Sequence, residues 1–196
     1  HLTQSTASYQ PTYSQNLFNP YIDFDGTDNV IANQDTNLIN VSDGNNTMFV
    51  VFESDVTTAS SSGDCVAGVC YRGRQYQGVS INSNHGGAGS VSYMNRSSQD
   101  YDPFLTNITS TTKQVVYGTR SGTTRTLYDQ DGNSANRTNS SNTSQDNFAV
   151  GSAWEVGRTP LSNFDGKIYE IIVYDSVLSA SQLAQVQNYL QTKWNT

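Results

Sequence analysis

Between Pro20 and Tyr174 the apolar residues come in short runs of strand length, and no helical period separates one run from the next. Pro20-Tyr21-Ile22-Asp23-Phe24-Asp25-Gly26 alternates apolar and polar residues and then turns, the pattern of a half-buried strand. Val30-Ile31-Ala32 resumes it. Met48-Phe49-Val50-Val51-Phe52 is apolar without alternation, which predicts a central strand covered on both faces. Further strands are expected at 66–71, 77–81, 91–94, 113–118, 124–128 and 148–151. The strongest run is Lys167-Ile168-Tyr169-Glu170-Ile171-Ile172-Val173-Tyr174. This spacing predicts an all-β fold of two antiparallel sheets packed as a jelly-roll sandwich, and it excludes alternating strand and helix units.

A single helix is signalled near the C-terminal end, from about Ala180 to Lys193. Ser179 and Gln182 form a capping box, with Leu178 and Leu183 placed as a hydrophobic staple. Leu183, Val186, Leu190 and Trp194 recur at three- or four-residue spacing and make one apolar stripe. Such a helix lies on the sandwich surface, with Trp194 as its anchor. Residues 1–19 are polar with scattered aromatics and read as an arm or linker, leaving 20–196 as the folded domain. Asp131-Gly132 is a turn dipeptide, 133–147 reads as a Ser/Thr/Asn-rich loop, and 82–89 as a glycine-rich loop carrying His85.

Composition narrows the partners. Only 14% of residues are charged, yet 12 Tyr and 7 Phe with the Val/Ile runs suffice to bury a core, which a disordered chain lacks. A net charge of -7 argues against nucleic acid. No apolar stretch reaches the roughly 20 residues that span a bilayer, so no membrane insertion is expected. The chain begins at His1, as a processed product or an excised piece would, and any signal peptide would already be gone. Cys65 and Cys70 are the only cysteines; a local disulfide is the preferred reading, with a pair of thiols as the alternative. A disulfide would indicate an oxidising, extracellular setting. Sequons at Asn40, Asn45, Asn95, Asn107, Asn136, Asn139 and Asn142 mark solvent-facing segments.

Several stretches resemble a known family. Phe24-Asp25-Gly26-Thr27-Asp28-Asn29 is similar to the FDGxDD motif that opens laminin-G-like, concanavalin A-like jelly rolls. Phe164-Asp165-Gly166 with 167–175, continuing through Leu178-Ser179, is similar to that family's final strand and closing helix. Leu127-Tyr128-Asp129-Gln130-Asp131-Gly132 resembles its LYVDG hairpin, and Val115-Val116-Tyr117 one of its inner strands. The resemblance runs from about residue 20 to 194, with 55–108 matching nothing. It implies a structural Ca²⁺ held by Asp25, the Gly26 carbonyl, Asp28 and Glu170, because first and last strands pair in such folds. Tyr169 stands where many relatives have Asp, which departs from that pattern.

Jelly rolls of this kind include lectins, adhesion modules, glucanases and lyases, so the fold leaves function open. The glucanase branch carries E-x-D-x-x-E. Here Glu53-Ser54-Asp55-Val56-Thr57-Thr58 has Thr in place of the last Glu, so the set is incomplete. The lyase branch needs His, Tyr, Arg and Gln together, and His85 has no recognisable partner motif. No catalytic residue is therefore assigned. Exposed aromatics beside amides suit sugar faces, and the candidates for ligand contact are Arg72, Tyr76, His85, Asn95, Tyr101 and Trp154. The expectation is a non-catalytic carbohydrate-binding or adhesion module of a larger cell-surface or virion protein, with a glycan as partner. A structural subunit of a fibre or capsid, assembling with copies of itself through the arm, is one alternative. A polysaccharide-degrading enzyme is the other.

Overall fold

The computed structural model describes residues 2–32, 44–56, 64–69, 79–83, 89–95, 104–105, 112–138, 148–151 and 163–196. In chain order the strands are β1 (Thr12–Ser14), β2 (Tyr21–Asp25), β3 (Ile31–Ala32), β4 (Asn45–Ser54) and β5 (Asp64–Val69). Next come β6 (Val79–Ser83), β7 (Val91–Asn95), β8 (Phe104–Leu105), β9 (Gln114–Ser121) and β10 (Thr124–Tyr128). The last are β11 (Ser134–Thr138), β12 (Phe148–Val150) and β13 (Asp165–Tyr174), before helix α1 (Ala180–Trp194).

Two antiparallel sheets result. The larger runs β1-β2-β13-β4-β9-β10-β11 and the smaller β3-β12-β5-β6-β7-β8. The first strand of the domain pairs with the last, Asp25 opposite Asp165 and Ile22 opposite Ile168. Strand β13 pairs on its other side with β4, from Gly166 opposite Ser54 to Tyr174 opposite Thr47. The apolar run in β4 fits this central place. Met48, Val50 and Phe52 enter the core between the sheets, while Phe49 and Val51 face the other way, under the helix.

Two apolar layers therefore lie on either side of the larger sheet. Between the sheets, Phe24, Phe52 and Phe164 meet Ile81, Tyr93, Val116 and Leu127. Gly118 is required here, because a Cβ on it would sit 2.6 Å from the Tyr93 ring. On the outer face, Leu190 and Trp194 of α1 bury against Phe49, Val51, Val115 and Tyr117. The capping box forms as expected: the Ser179 hydroxyl accepts from Gln182 N–H, and Gln182 Oε1 accepts from Ser179 N–H at 2.9 Å. Thr47 ties the helix entrance down, donating to Ser176 O at 2.9 Å and accepting from Leu178 N–H at 3.2 Å.

Three features depart from the sequence reading. The arm is folded onto the domain: β1 adds to the edge of the larger sheet, and Thr3 bridges Ala32 of the smaller one. Residues 134–138, expected within a loop, form β11, because the Asp131-Gly132 turn directs them back along β10. Strand β8 is a further strand that the apolar pattern does not predict. The Cys65–Cys70 bridge cannot be followed, since Cys70 lies outside the described residues, while Cys65 is buried in β5.

Replacing Trp194 with Ala removes the largest side chain that α1 buries, and is expected to lower unfolding free energy by about 3–5 kcal/mol. Ser179→Ala, which removes only the cap, should cost about 1 kcal/mol. Urea unfolding followed by tryptophan-independent far-UV signal distinguishes the two; equal losses would contradict the assignment of Trp194 as the anchor.

Candidate functional site

Charge is segregated along β4. Its C-terminal end is acidic on the outer face of the larger sheet. Asp25 and Asp165 are directly opposite one another, and Asp23, Lys167 and Glu53 make one cross-strand row, with Asp55 just beyond. Lys167 Nζ donates to Glu53 at 3.1 Å and to Asp55 at 3.4 Å, and the Tyr169 hydroxyl donates to the other Glu53 oxygen at 2.9 Å. Burial opposes the Lys167 charge, yet the hydrogen bond and charge of Glu53, with Asp55, outweigh it and raise its pKa. Asp165 is pushed up by burial and then by Asp55, Asp25 and Asp23. Asp23 is pushed up by burial and Asp55, with Lys167 pulling the other way.

The expected calcium set is not assembled. Asp25, Gly26 and Asp28 do share one turn, where Asp25 accepts from Thr27 N–H at 2.9 Å and Gly26 has φ of +68°. Glu170, however, lies five residues along β13 from the partner of Asp25, roughly 16 Å at the rise of a strand. Its carboxylate is held by α1: Trp194 Nε1 donates at 2.6 Å, Lys193 Nζ at 2.9 Å and Tyr189 OH at 3.3 Å. The cause is a bulge. The register shifts between Ile168 and Glu170, so Tyr169 is the extra residue and Glu170 turns toward the helix. Among the described residues no group of three or more His, Cys, Asp or Glu is placed to hold a metal ion. The four named residues therefore do not fit the ion as one site.

The opposite end of β4 is basic, on the inner face. Asn46 stands opposite Arg120 of β9, Arg120 opposite Arg125 of β10, and Arg125 opposite Arg137 of β11. Directly opposed residues share a face, and Leu127, two residues from Arg125, fixes that face as the one toward the smaller sheet. The row runs outward from the interior: Asn46, Arg120 and Arg125 are buried, and Arg137 is exposed on the edge strand. Arg120 and Arg125 are engaged within the fold, Arg120 Nε donating to Gly122 O at 3.0 Å. Tyr93 reaches the row from β7, its hydroxyl donating to Asn46 Oδ1. Burial pushes the Tyr93 pKa well up, although Arg120 and Arg125 draw it down. From Asn46 to Glu53 the two charged ends are roughly 24 Å apart.

Of the sugar-contact candidates, Arg72, Tyr76, His85, Tyr101 and Trp154 lie outside the described residues. Asn95 closes β7 opposite Val79. The arginine row was missed, though one signal for it was present. In Arg120-Ser121-Gly122-Thr123-Thr124-Arg125 a two-residue turn at Gly122-Thr123, with φ of +58° at Gly122, places the two arginines opposite each other.

The acidic end yields a pH prediction. A carboxyl whose pKa is raised by folding stabilises the fold below its unfolded value near 3.8, and that contribution is lost as pH rises through the folded value. Asp165→Asn should therefore be more stable than the wild type at neutral pH, by about half a kcal/mol given its solvent exposure. The gap should close at pH below about 4 and shrink in salt. Thermal midpoints of both proteins across this range check it, and a gap that widens in acid would contradict the repulsion.

No family model matches the chain, and no curated protein matches it. Solved structures do. The Ruminococcus gnavus IT-sialidase CBM40 matches with a TM-score of 0.62 at 16% identity, covering 85% of this chain and 96% of that one. The same module is also solved bound to α2,3 sialyllactose. Domains LG4-5 of the mouse laminin α1 chain match with a TM-score of 0.54 at 13% identity, over 87% of this chain and 43% of that one. Trypanosoma rangeli sialidase matches with a TM-score of 0.62 at 9% identity, over 94% of this chain and 29% of that one. At these identities the likeness concerns the fold, and the fold is the concanavalin A-like, laminin-G-like jelly roll.

Proposed function

We propose that this chain is a non-catalytic glycan-binding module of an extracellular, surface-displayed protein, and that it takes acidic glycans at the arginine end of the sandwich. The observation that carries the reading is the cross-strand row of Arg120, Arg125 and Arg137 in a chain whose net charge is -7. Three of its ten basic residues are gathered at one rim of the sandwich. A guanidinium presents paired N–H donors whose geometry matches a carboxylate or sulfate. Arg137 is the exposed member and the one able to touch a ligand, with the buried pair fixing the strand edge that carries it.

Two further points support a binding role. The match to the R. gnavus carbohydrate-binding module spans nearly the whole of that module, whereas the sialidases are matched over less than a third of their length. The sialyllactose in its complexes is a carboxylate-bearing glycan. The carboxylates closest to a glucanase pattern, Glu53 and Asp55, are both bonded to Lys167, and Glu53 also to Tyr169. No helix among the described residues is long and apolar enough to cross a membrane.

Titration calorimetry with 3′-sialyllactose, 6′-sialyllactose and lactose tests the proposal. The sialylated sugars should bind and lactose should bind at least about tenfold more weakly, the scale of one charge-assisted contact. Arg137→Ala should remove most of that difference and its salt dependence while leaving the thermal midpoint nearly unchanged. Binding unaltered by Arg137→Ala, or a preference for lactose, would overturn the reading.

A further inference from the structure

The N-terminal arm closes the open edge of the sandwich, and it does so with unusually little burial. Strand β1 gives the larger sheet three register pairs, Thr12 with Asp23, Tyr13 with Ile22 and Ser14 with Tyr21. Thr3 exchanges two backbone hydrogen bonds with Ala32 of the smaller sheet, at 2.8 and 3.1 Å, and Tyr9 O accepts from Val30 N–H at 2.9 Å. Gln4 Nε2 adds a bond of 3.2 Å to Val30 O. The arm thus straps β2 to β3. Yet none of residues 2–20 is buried, and Tyr9 alone packs, half-buried, on the small cluster of Val30, Ala32 and Ala149. Beside the strap, Leu2 and Tyr13 line an open cleft of about 260 Å³ together with Ile22, Ile31, Val150 and Ile168. A second cleft of about 290 Å³, open to solvent, lies beside it against Gln10 and Pro11. A strap held by edge hydrogen bonds, with no fully buried side chain and open clefts along it, detaches at low cost relative to the core.

The connection from the strap to β2 is residues 15–20. It carries the two most exposed large apolar side chains among the described residues, Leu17 at 88% and Phe18 at 83%. They are adjacent, and neither belongs to any of the apolar clusters. A connection of six residues reaches about 20 Å when extended, enough to carry the strap to a neighbouring molecule instead of back along its own β2.

We propose that residues 2–14 are an exchangeable strand, and that in the assembled protein the β2/β3 edge is occupied by the same segment of a second copy. The structure itself points to this occupant. The edge already accepts this segment, with its register, its backbone bonds and the seat for Tyr9, so a second copy's arm makes every one of those contacts without loss. What the exchanged pair adds is the junction. The two connections cross near the twofold axis, and Leu17 and Phe18 of each copy cover those of the other, removing apolar surface that the closed monomer leaves in water. The site is isologous: each copy gives a strand and receives one. This is independent of glycan binding, since the arginine row stands at β9, β10 and β11, across the larger sheet from β1.

A covalent trap distinguishes exchange from every other contact. Thr12 and Asp23 are register partners across the strap, so a Thr12→Cys/Asp23→Cys full-length chain, with Cys65 and Cys70 kept, is oxidised at low and at high concentration and mapped by mass spectrometry. The expected result is a 12–23 bond within one chain in dilute protein, and between two chains in a dimer isolated from concentrated protein. Leu17→Ser/Phe18→Ser should weaken the dimer at least about tenfold, as loss of buried apolar side chains predicts, without altering the thermal midpoint of the monomer. A protein that stays monomeric at the highest concentration, or a dimer whose 12–23 bonds all remain within single chains, would overturn the proposal. A dimer of unchanged affinity in the Leu17/Phe18 variant would overturn the role of the junction.

Discussion

Strand β13 is the element on which the rest of the molecule depends. It is hydrogen-bonded to β2 on one side and β4 on the other, so it joins the beginning and the end of the domain in one sheet. Both of its faces are used. Ile168, Ile171 and Val173 turn into the space between the sheets, and Tyr169, Ile172 and Tyr174 turn toward α1. Loss of β13 would open two apolar layers at once, which explains why the strongest strand signal in the chain falls here. It also explains why the closing helix begins without a long connection. The chain leaves β13 at the edge of the layer that the helix must cover, and Thr47 holds the turn in place.

The same strand sets the electrostatic layout. Its pairing with β2 and β4 brings Asp23, Asp25, Glu53, Asp55 and Asp165 to one end of the sheet around a single Lys167. The opposite end collects arginines through β9, β10 and β11. An acidic protein that gathers three arginines in one row, away from its cluster of carboxylates, presents two chemically different ends. The jelly roll is shared with carbohydrate-binding modules, laminin domains and sialidase chains, so the fold alone is silent on ligand. The proposed glycan reading rests instead on where the charge is placed on its rims.

Much of the architecture is legible in the order of residues alone. Local rules set it: alternation in 20–26, an unbroken apolar run in 48–52, and a three- and four-residue stripe behind a capping box in the helix. Each such signal depends only on residues near in sequence, and each is met by the structure. The pairing of first and last strands is legible because Phe24-Asp25-Gly26 and Phe164-Asp165-Gly166 resemble the two ends of one known jelly roll. Segment 134–138 is not legible as a strand, since Ser134-Ala135-Asn136-Arg137-Thr138 is polar and largely exposed. It is a strand because β10 offers it an edge, and backbone pairing needs no apolar face.

The sequence by itself therefore determined the class of fold, the position of its central strands and the closing helix. Tertiary structure decided which side chains meet. Glu170 could not be assigned from its place in a motif, because one inserted residue at Tyr169 reverses the face of every residue after it in the strand. The arginines come from three strands that only the hairpin registers align, and the arm takes a place defined by two strands of different sheets. Period and capping act over a few residues, so a sequence displays them directly. Face, register and edge are properties of a partner strand, and they exist only once that partner is in place.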